Sequence, residues 1–176
     1  ACTELVVDSY RKSFLKEKNI AVATARAGNV IGGGDWSKDR LIPDCLRSIK
    51  NKEKIIIRSP KAVRPWQHVL EPLAGYLNLA QRLYKEGEIW AEAWNFGPDE
   101  AATICVEEIV KHLCCEFVAE YEIKVNDIMH EATLLKLDCA KAKTKLNWQP
   151  KLTIQQALNL TTKWYQYYWA EDNLEK

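Results

Sequence analysis

Four of the seven glycines in this 176-residue chain fall within RAGNVIGGGDWSKDR, residues 26–40, just after an apolar run. Glycines at the carboxyl end of a strand can bring backbone N–H groups close to a phosphate, so this stretch is the first candidate for chemistry. The spacing does not fit a nucleotide fingerprint. Gly28, Gly32, Gly33 and Gly34 match neither G-x-G-x-x-G nor G-x-x-x-x-G-K-[ST], and Asp35 stands where a phosphate loop would need lysine. The glycines alone describe a flexible turn. Their neighbours add more: Arg26, Asn29, Asp35, Trp36, Asp39 and Arg40 gather donors, acceptors and a stacking surface beside a strand end, where open α/β sheets bind ligands. A ligand loop is therefore expected, holding something other than an isolated metal or a lone phosphate.

Arg58 and Arg64, in IIIRSPKAVRPWQH, flank a turn. Two guanidinium forks would match the oxygens of a diphosphate, although composition alone also allows two surface arginines. His130 beside Glu131 reads more simply as a structural pair than as a catalytic base, and ligand contact is the milder expectation. His112, Cys114 and Cys115 could be imagined as metal ligands, but a zinc site needs about four convergent donors. Here they belong to one amphipathic stretch, and no pair of the six cysteines has C-x-x-C spacing, so no metal site is expected and the thiols read as free.

Composition narrows the partners. Twenty-five Lys and Arg against 24 Asp and Glu leave a net charge of +1, without the basic footprint of a nucleic-acid or anionic-membrane binder. No stretch approaches the roughly 18 to 20 apolar residues of a membrane span, and the N-terminus lacks the pattern of a secretory signal. A small-molecule ligand and a cytoplasmic setting follow as expectations. The missing initiator Met points to a chain that begins inside a larger protein.

These residues must be positioned by alternating helices and short strands. CTELVVDSYRKSFLKEK spaces Leu5, Val6, Tyr10 and Phe14 for a helix, and IAVATARAGNV is dense in small and β-branched residues, as in a parallel strand buried on both faces. Helices are expected from about Leu41, from about Pro72 to Gly87, and after an N-cap at Thr103. KIIIRSP, AWNF, AEYEIKV and ATLLKLD supply strand candidates. A short helix in CAKAKTKLNWQP and a terminal helix complete the chain, the latter with Ile154, Ala157, Leu158, Thr161 or Thr162 and Trp164 facing inward. Its WYQYYW segment most simply packs that helix. With one convincing sheet-core strand, this is too little for a whole doubly wound domain.

Taken together, RAGNVIGGGDW, DRLIPD, VRPWQHVLEPLAGYL, WNFGP and LLKLDCAKAKTKLNWQP resemble the C-terminal half of the extended short-chain dehydrogenase/reductase family, the NAD-dependent epimerases and dehydratases. Gly32-Gly33-Gly34-Asp35-Trp36 and Leu70-Glu71-Pro72 set the chain nearest the members that dehydrate a CDP-sugar. The resemblance implies an α/β fold, the C-terminal part of a Rossmann-type fold with a smaller mixed α/β substrate-binding region. Residues 1–30 would end the Rossmann-type domain; residues 31–176 would form the nucleotide-sugar region, with elements returning to the sheet. The activity implied is that of a lyase, a sugar-nucleotide 4,6-dehydratase.

By the same resemblance Asn29, Arg40, Leu41, Ile55, Ile57, Arg58, Arg64 and His130 contact substrate. Asp35, Trp36 and Asp39 form a loop that sets specificity, and Ala27, Gly28 and Val30 lie near the nicotinamide. The family's glycine fingerprint and Tyr-x-x-x-Lys pair precede the matched region, and no tyrosine here has a lysine four residues later. No catalytic residue is therefore expected in this chain, and NAD would be bound mainly by a preceding half. The first helix would be one of a pair forming a homodimer in the complete enzyme, a pairing left incomplete here. Two readings compete: a non-catalytic nucleotide-sugar-binding or interaction fragment, and another dehydratase or epimerase of the same family.

Overall fold

The computed structural model describes residues 2–99, 103–124 and 137–172. The chain opens with helix α1 (Cys2–Tyr10), which loosens into a π turn over Arg11–Leu15 and a tight turn over Lys16–Lys18, closed by Asn19 in the left-handed region. Strands β1 (Thr24–Ala27) and β2 (Asn29–Ile31) follow, then α2 (Leu41–Lys50), β3 (Ile55–Ile57) and β4 (Val63–His68). Next come α3 (Leu70–Glu86), β5 (Ala93–Phe96), β6 (Thr103–Cys105), α4 (Val106–Phe117) and β7 (Tyr121–Ile123). Helices α5 (Ala140–Lys145) and α6 (Ile154–Asp172) end the described chain. These elements belong to two units: residues 1–28, 70–97 and 137–151 form the first, and residues 29–69, 98–136 and 152–176 the second.

In the first unit, β1 and β5 run parallel with Thr24 opposite Ala93 and Ala27 opposite Phe96. Helix α3 begins at Leu70, two residues before the expected Pro72, which its first turn accommodates because that turn's N–H groups have no partner within the helix. It stops at Gly87, whose φ of 69° suits a residue without Cβ. The core gathers Leu79, Trp94, Phe96, Cys139, Ala142, Leu146 and Trp148. The Phe96 ring meets Trp148 edge-on at 5.1 Å and Tyr76 at 5.4 Å, an arrangement that aligns ring edges with ring faces. Buried Glu71 ties the segment after α5 to α3: its carboxylate accepts from the Lys151 N–H at 2.9 Å, and its carbonyl from Trp148 Nε1 at 3.1 Å.

In the second unit, β4 lies between β2, parallel to it, and β6, antiparallel. Proline in a central strand normally removes a ladder bond. Pro65 escapes that conflict because β2 pairs with 66–68 and β6 with 63–65, so each half of β4 is locally an edge. A second parallel pair joins β3 to β7. Helices α2, α4 and α6 close over a core that includes Ile42, Leu46, Ile57, Ile109, Leu113 and Leu158.

Three differences from the sequence reading have local causes. The run expected to be one strand buried on both faces is two strands: Gly28 N–H makes the last bond to Phe96 O at 3.4 Å, and Asn29 then takes Trp66 as partner, while Ala25 and Arg26 are exposed. Thr103 is a strand residue, and the N-cap of α4 is Cys105, whose N–H is accepted by the Glu108 carboxylate at 2.9 Å. On α6 the residue that completes the inner face is Tyr165, wholly buried, whereas Trp164 is 39% exposed. Of ATLLKLD, residues 132–136 lie outside the described residues.

Candidate functional site

The glycine-rich segment leaves β2 at Ile31, whose carbonyl accepts the Val69 N–H at 2.8 Å. Close packing explains the first two glycines. A Cβ at Gly32 would come within 2.8 Å of the Val69 side chain, and one at Gly33 within 2.1 Å of the Trp164 indole. Gly34 turns the chain with φ at 75°. The Cβ positions of Gly32 and Gly33 are thus taken up by contact with other parts of the unit.

Asp35 is held by its backbone. The Tyr165 hydroxyl accepts its N–H at 3.0 Å and donates to its carbonyl at 2.7 Å, while the Asp35 carboxylate accepts the Ser37 N–H at 3.0 Å. Trp36 lies edge-on to Tyr165 with centroids 5.3 Å apart, and near Tyr168 at 5.4 Å and Trp164 at 6.4 Å. From α2, Arg47 donates to the carbonyls of Trp36 and Ser37, each at 3.4 Å, and pairs with Asp44. Asp39 adopts φ of 61°, a conformation that aspartate tolerates better than most residues. The extended Arg40 then starts α2. Burial pushes the Tyr165 phenol above its ordinary range, against the opposing effect of its bond to the Asp35 backbone, so it is protonated and able to donate near neutrality.

The other expected contact residues have distinct settings. Asn29, Arg40, Leu41, Ile55, Ile57, Arg58 and Arg64 all belong to the second unit, whereas Ala27 and Gly28 belong to the first. Val30, on β2, pairs with Gln67. Arg40 and Arg58 are exposed, and among the described residues neither guanidinium has a partner. Arg64 is half-buried and donates to the carbonyl of Val63 at 2.9 Å. Ile55 and Ile57, each 2% exposed, point into the core, and Ile56 between them faces solvent. His130 lies outside the described residues.

Among the described residues no three His, Cys, Asp or Glu side chains gather to hold a metal ion. His112 Nδ1 meets Gln155 at 3.1 Å, and burial draws its pKa below the usual histidine range. All six cysteines are free thiols. Two residues that organise the loop, Tyr165 and Arg47, were not singled out by sequence. The signal available for Tyr165 was the four-residue spacing from Ala157 through Thr161; nothing in the spacing of Arg47 distinguishes it from a solvated helix residue.

Comparison with known proteins defines the class first. No family model matches the chain. Its fold is that of an epimerase from Methanothermobacter thermautotrophicus, at a TM-score of 0.79 and 20% identity, over 95% of this chain and 48% of that one. It is also that of a dTDP-glucose 4,6-dehydratase from Bacillus anthracis solved with NAD, at a TM-score of 0.70 and 19% identity, over 93% and 49%. The chain therefore shares the fold of these epimerase and dehydratase structures. Within that class the sequence is similar to the CDP-glucose 4,6-dehydratase of Salmonella typhimurium, 47% identical over 171 residues. That match covers 93% of this chain and 48% of the relative, so the chain spans about half the length of the protein it matches.

Proposed function

We propose that the chain is the nucleotide-sugar-binding part of a CDP-glucose 4,6-dehydratase, a lyase that converts CDP-glucose to CDP-4-keto-6-deoxyglucose. The observation that carries this reading is the 47% identity, which extends across 93% of the chain. In this reading the second unit holds the substrate. Arg40 and Arg58, free of partners among the described residues, and the half-buried Arg64 supply positive charge for the diphosphate. Asn29 and Leu41, at the ends of the glycine-rich segment, and His130 complete the contacts, and Asp35, Trp36 and Asp39 set base preference. Ile55 and Ile57 support the nucleotide from beneath by shaping β3.

NAD is the cofactor proposed for the complete enzyme. The residues present do not fit its phosphate loop, since Gly28, Gly32, Gly33 and Gly34 have neither fingerprint's spacing and Asp35 follows them. The backbone of Ala27, Gly28 and Val30 would at most lie beside the nicotinamide. The chain also has no tyrosine followed four residues later by lysine, so neither hydride transfer nor proton abstraction is assigned to residues here. The first unit, with its two-stranded parallel sheet, is read as the end of the Rossmann-type part. A cytoplasmic setting agrees with six free thiols, and no described helix is long and apolar enough to cross a membrane.

A second reading, an interaction piece, draws on α1 and its following turn, where Leu5, Val6, Tyr10 and Phe14 are exposed. In the complete enzyme that face would pair two copies. Calorimetry separates the readings: the chain is expected to bind CDP more tightly than UDP or dTDP, and no binding of any of them would remove the substrate-binding role. Supplied with NAD and CDP-glucose, the chain alone is expected to form no 4-keto product. Turnover would show that the catalytic residues lie within it.

A further inference from the structure

We propose that Tyr165 and Trp164 of α6 are positioning residues: they hold the 33–37 loop in one conformation and thereby set how strongly the site prefers one nucleobase over another. The proposal rests on the nucleotide-sugar reading above. The loop contains Gly33 and Gly34, which without outside support would give it many conformations. The tie is specific in form. One phenol oxygen serves both backbone groups of Asp35, accepting at 3.0 Å and donating at 2.7 Å, as a neighbouring strand would. Trp164 fills the space above Gly33, and Trp36 lies against Trp164, Tyr165 and Tyr168.

The anchor of this clamp is firm. Ala157, Leu158, Thr161 and Tyr165 of α6 are buried in the second unit, and Thr161 Oγ1 returns a bond to the Ala157 carbonyl at 2.8 Å. Arg47 secures the far side of the loop from α2, so Asp35 and Trp36 are fixed from both ends. Asp35 and Trp36 therefore face a ligand from a preset position. A side chain that must be ordered at binding contributes less to discrimination than one already in place.

Tyr165→Phe tests this, because it keeps the ring and removes both bonds. Phe117→Leu is the control: Phe117, the last residue of α4, packs on Trp169 of α6 at 5.1 Å and makes no ring contact with Trp36. Amide hydrogen exchange and CDP and UDP calorimetry are run on the full chain. In Tyr165→Phe, exchange of the 33–37 amides is expected to quicken roughly tenfold or more while α2 is unchanged, and the CDP-to-UDP affinity ratio to fall several-fold. Phe117→Leu should lower stability with neither effect. Unchanged exchange in Tyr165→Phe, or quickened exchange with the affinity ratio kept, would overturn the proposal. If the unsubstituted chain binds neither nucleotide, the functional reading fails and the base-preference part falls with it; the exchange arm still decides whether Tyr165 holds the loop.

Discussion

Cys45 shows how much a single position can say about the interior. It lies on the inner face of α2, and burial, joined by the nearby Cys114 and Asp44, pushes its thiol from 9.0 up to about 12. The folded state thus favours the neutral thiol. Its contribution to stability is complete below the unfolded value and is lost as pH rises from about 9 toward 12. Urea unfolding between pH 7 and 10 is expected to show stability falling above pH 9, with a shallower fall in Cys45→Ala, which is less stable at pH 7. In the native chain at pH 8, mass spectrometry should find exposed Cys2 and Cys115 alkylated well before Cys45. That the thiols are free was legible from their scatter and spacing. The roles of Tyr165 and Arg47 were not: Tyr165 acts on the backbone of a residue 130 positions away, and a backbone partner leaves no mark in side-chain patterns.

Among elements, long periodic segments were legible and short paired ones were not. Helices α2, α3 and α6 follow from apolar spacing over ten or more residues. The break at Gly28 and the strand character of Thr103 depend on which distant strand supplies hydrogen bonds, and three residues are too few to display a period. Packing between elements can also reverse a local preference. Gly75 lies within α3, where alanine ordinarily stabilises a helix by about 0.5–1 kcal/mol. A Cβ there would come within 2.3 Å of the Phe96 ring, which is fully buried between Tyr76 and Trp148. Gly75→Ala is therefore expected to cost about 1–3 kcal/mol in urea unfolding, the range for overfilled cores.

For the whole molecule, the exposed apolar residues of the first helical segment have a measurable consequence. Leu5 and Val6 are 72% and 65% exposed, with Tyr10 and Phe14 beyond them, and such a stripe favours self-association. Sedimentation at micromolar concentrations should show species larger than a monomer, reduced in a Leu5→Glu, Tyr10→Glu variant; a strictly monomeric parent chain would contradict this. Sequence spacing marked that stripe as helical but could not tell whether it faces a core, because the partner of a surface is a property of the assembled chain. The backbone passes between the two units after residues 28, 69, 97, 136 and 151. Each unit is thus woven from three separate stretches. Any single-crossover recombination between two relatives would leave at least one unit with sequence from different parents.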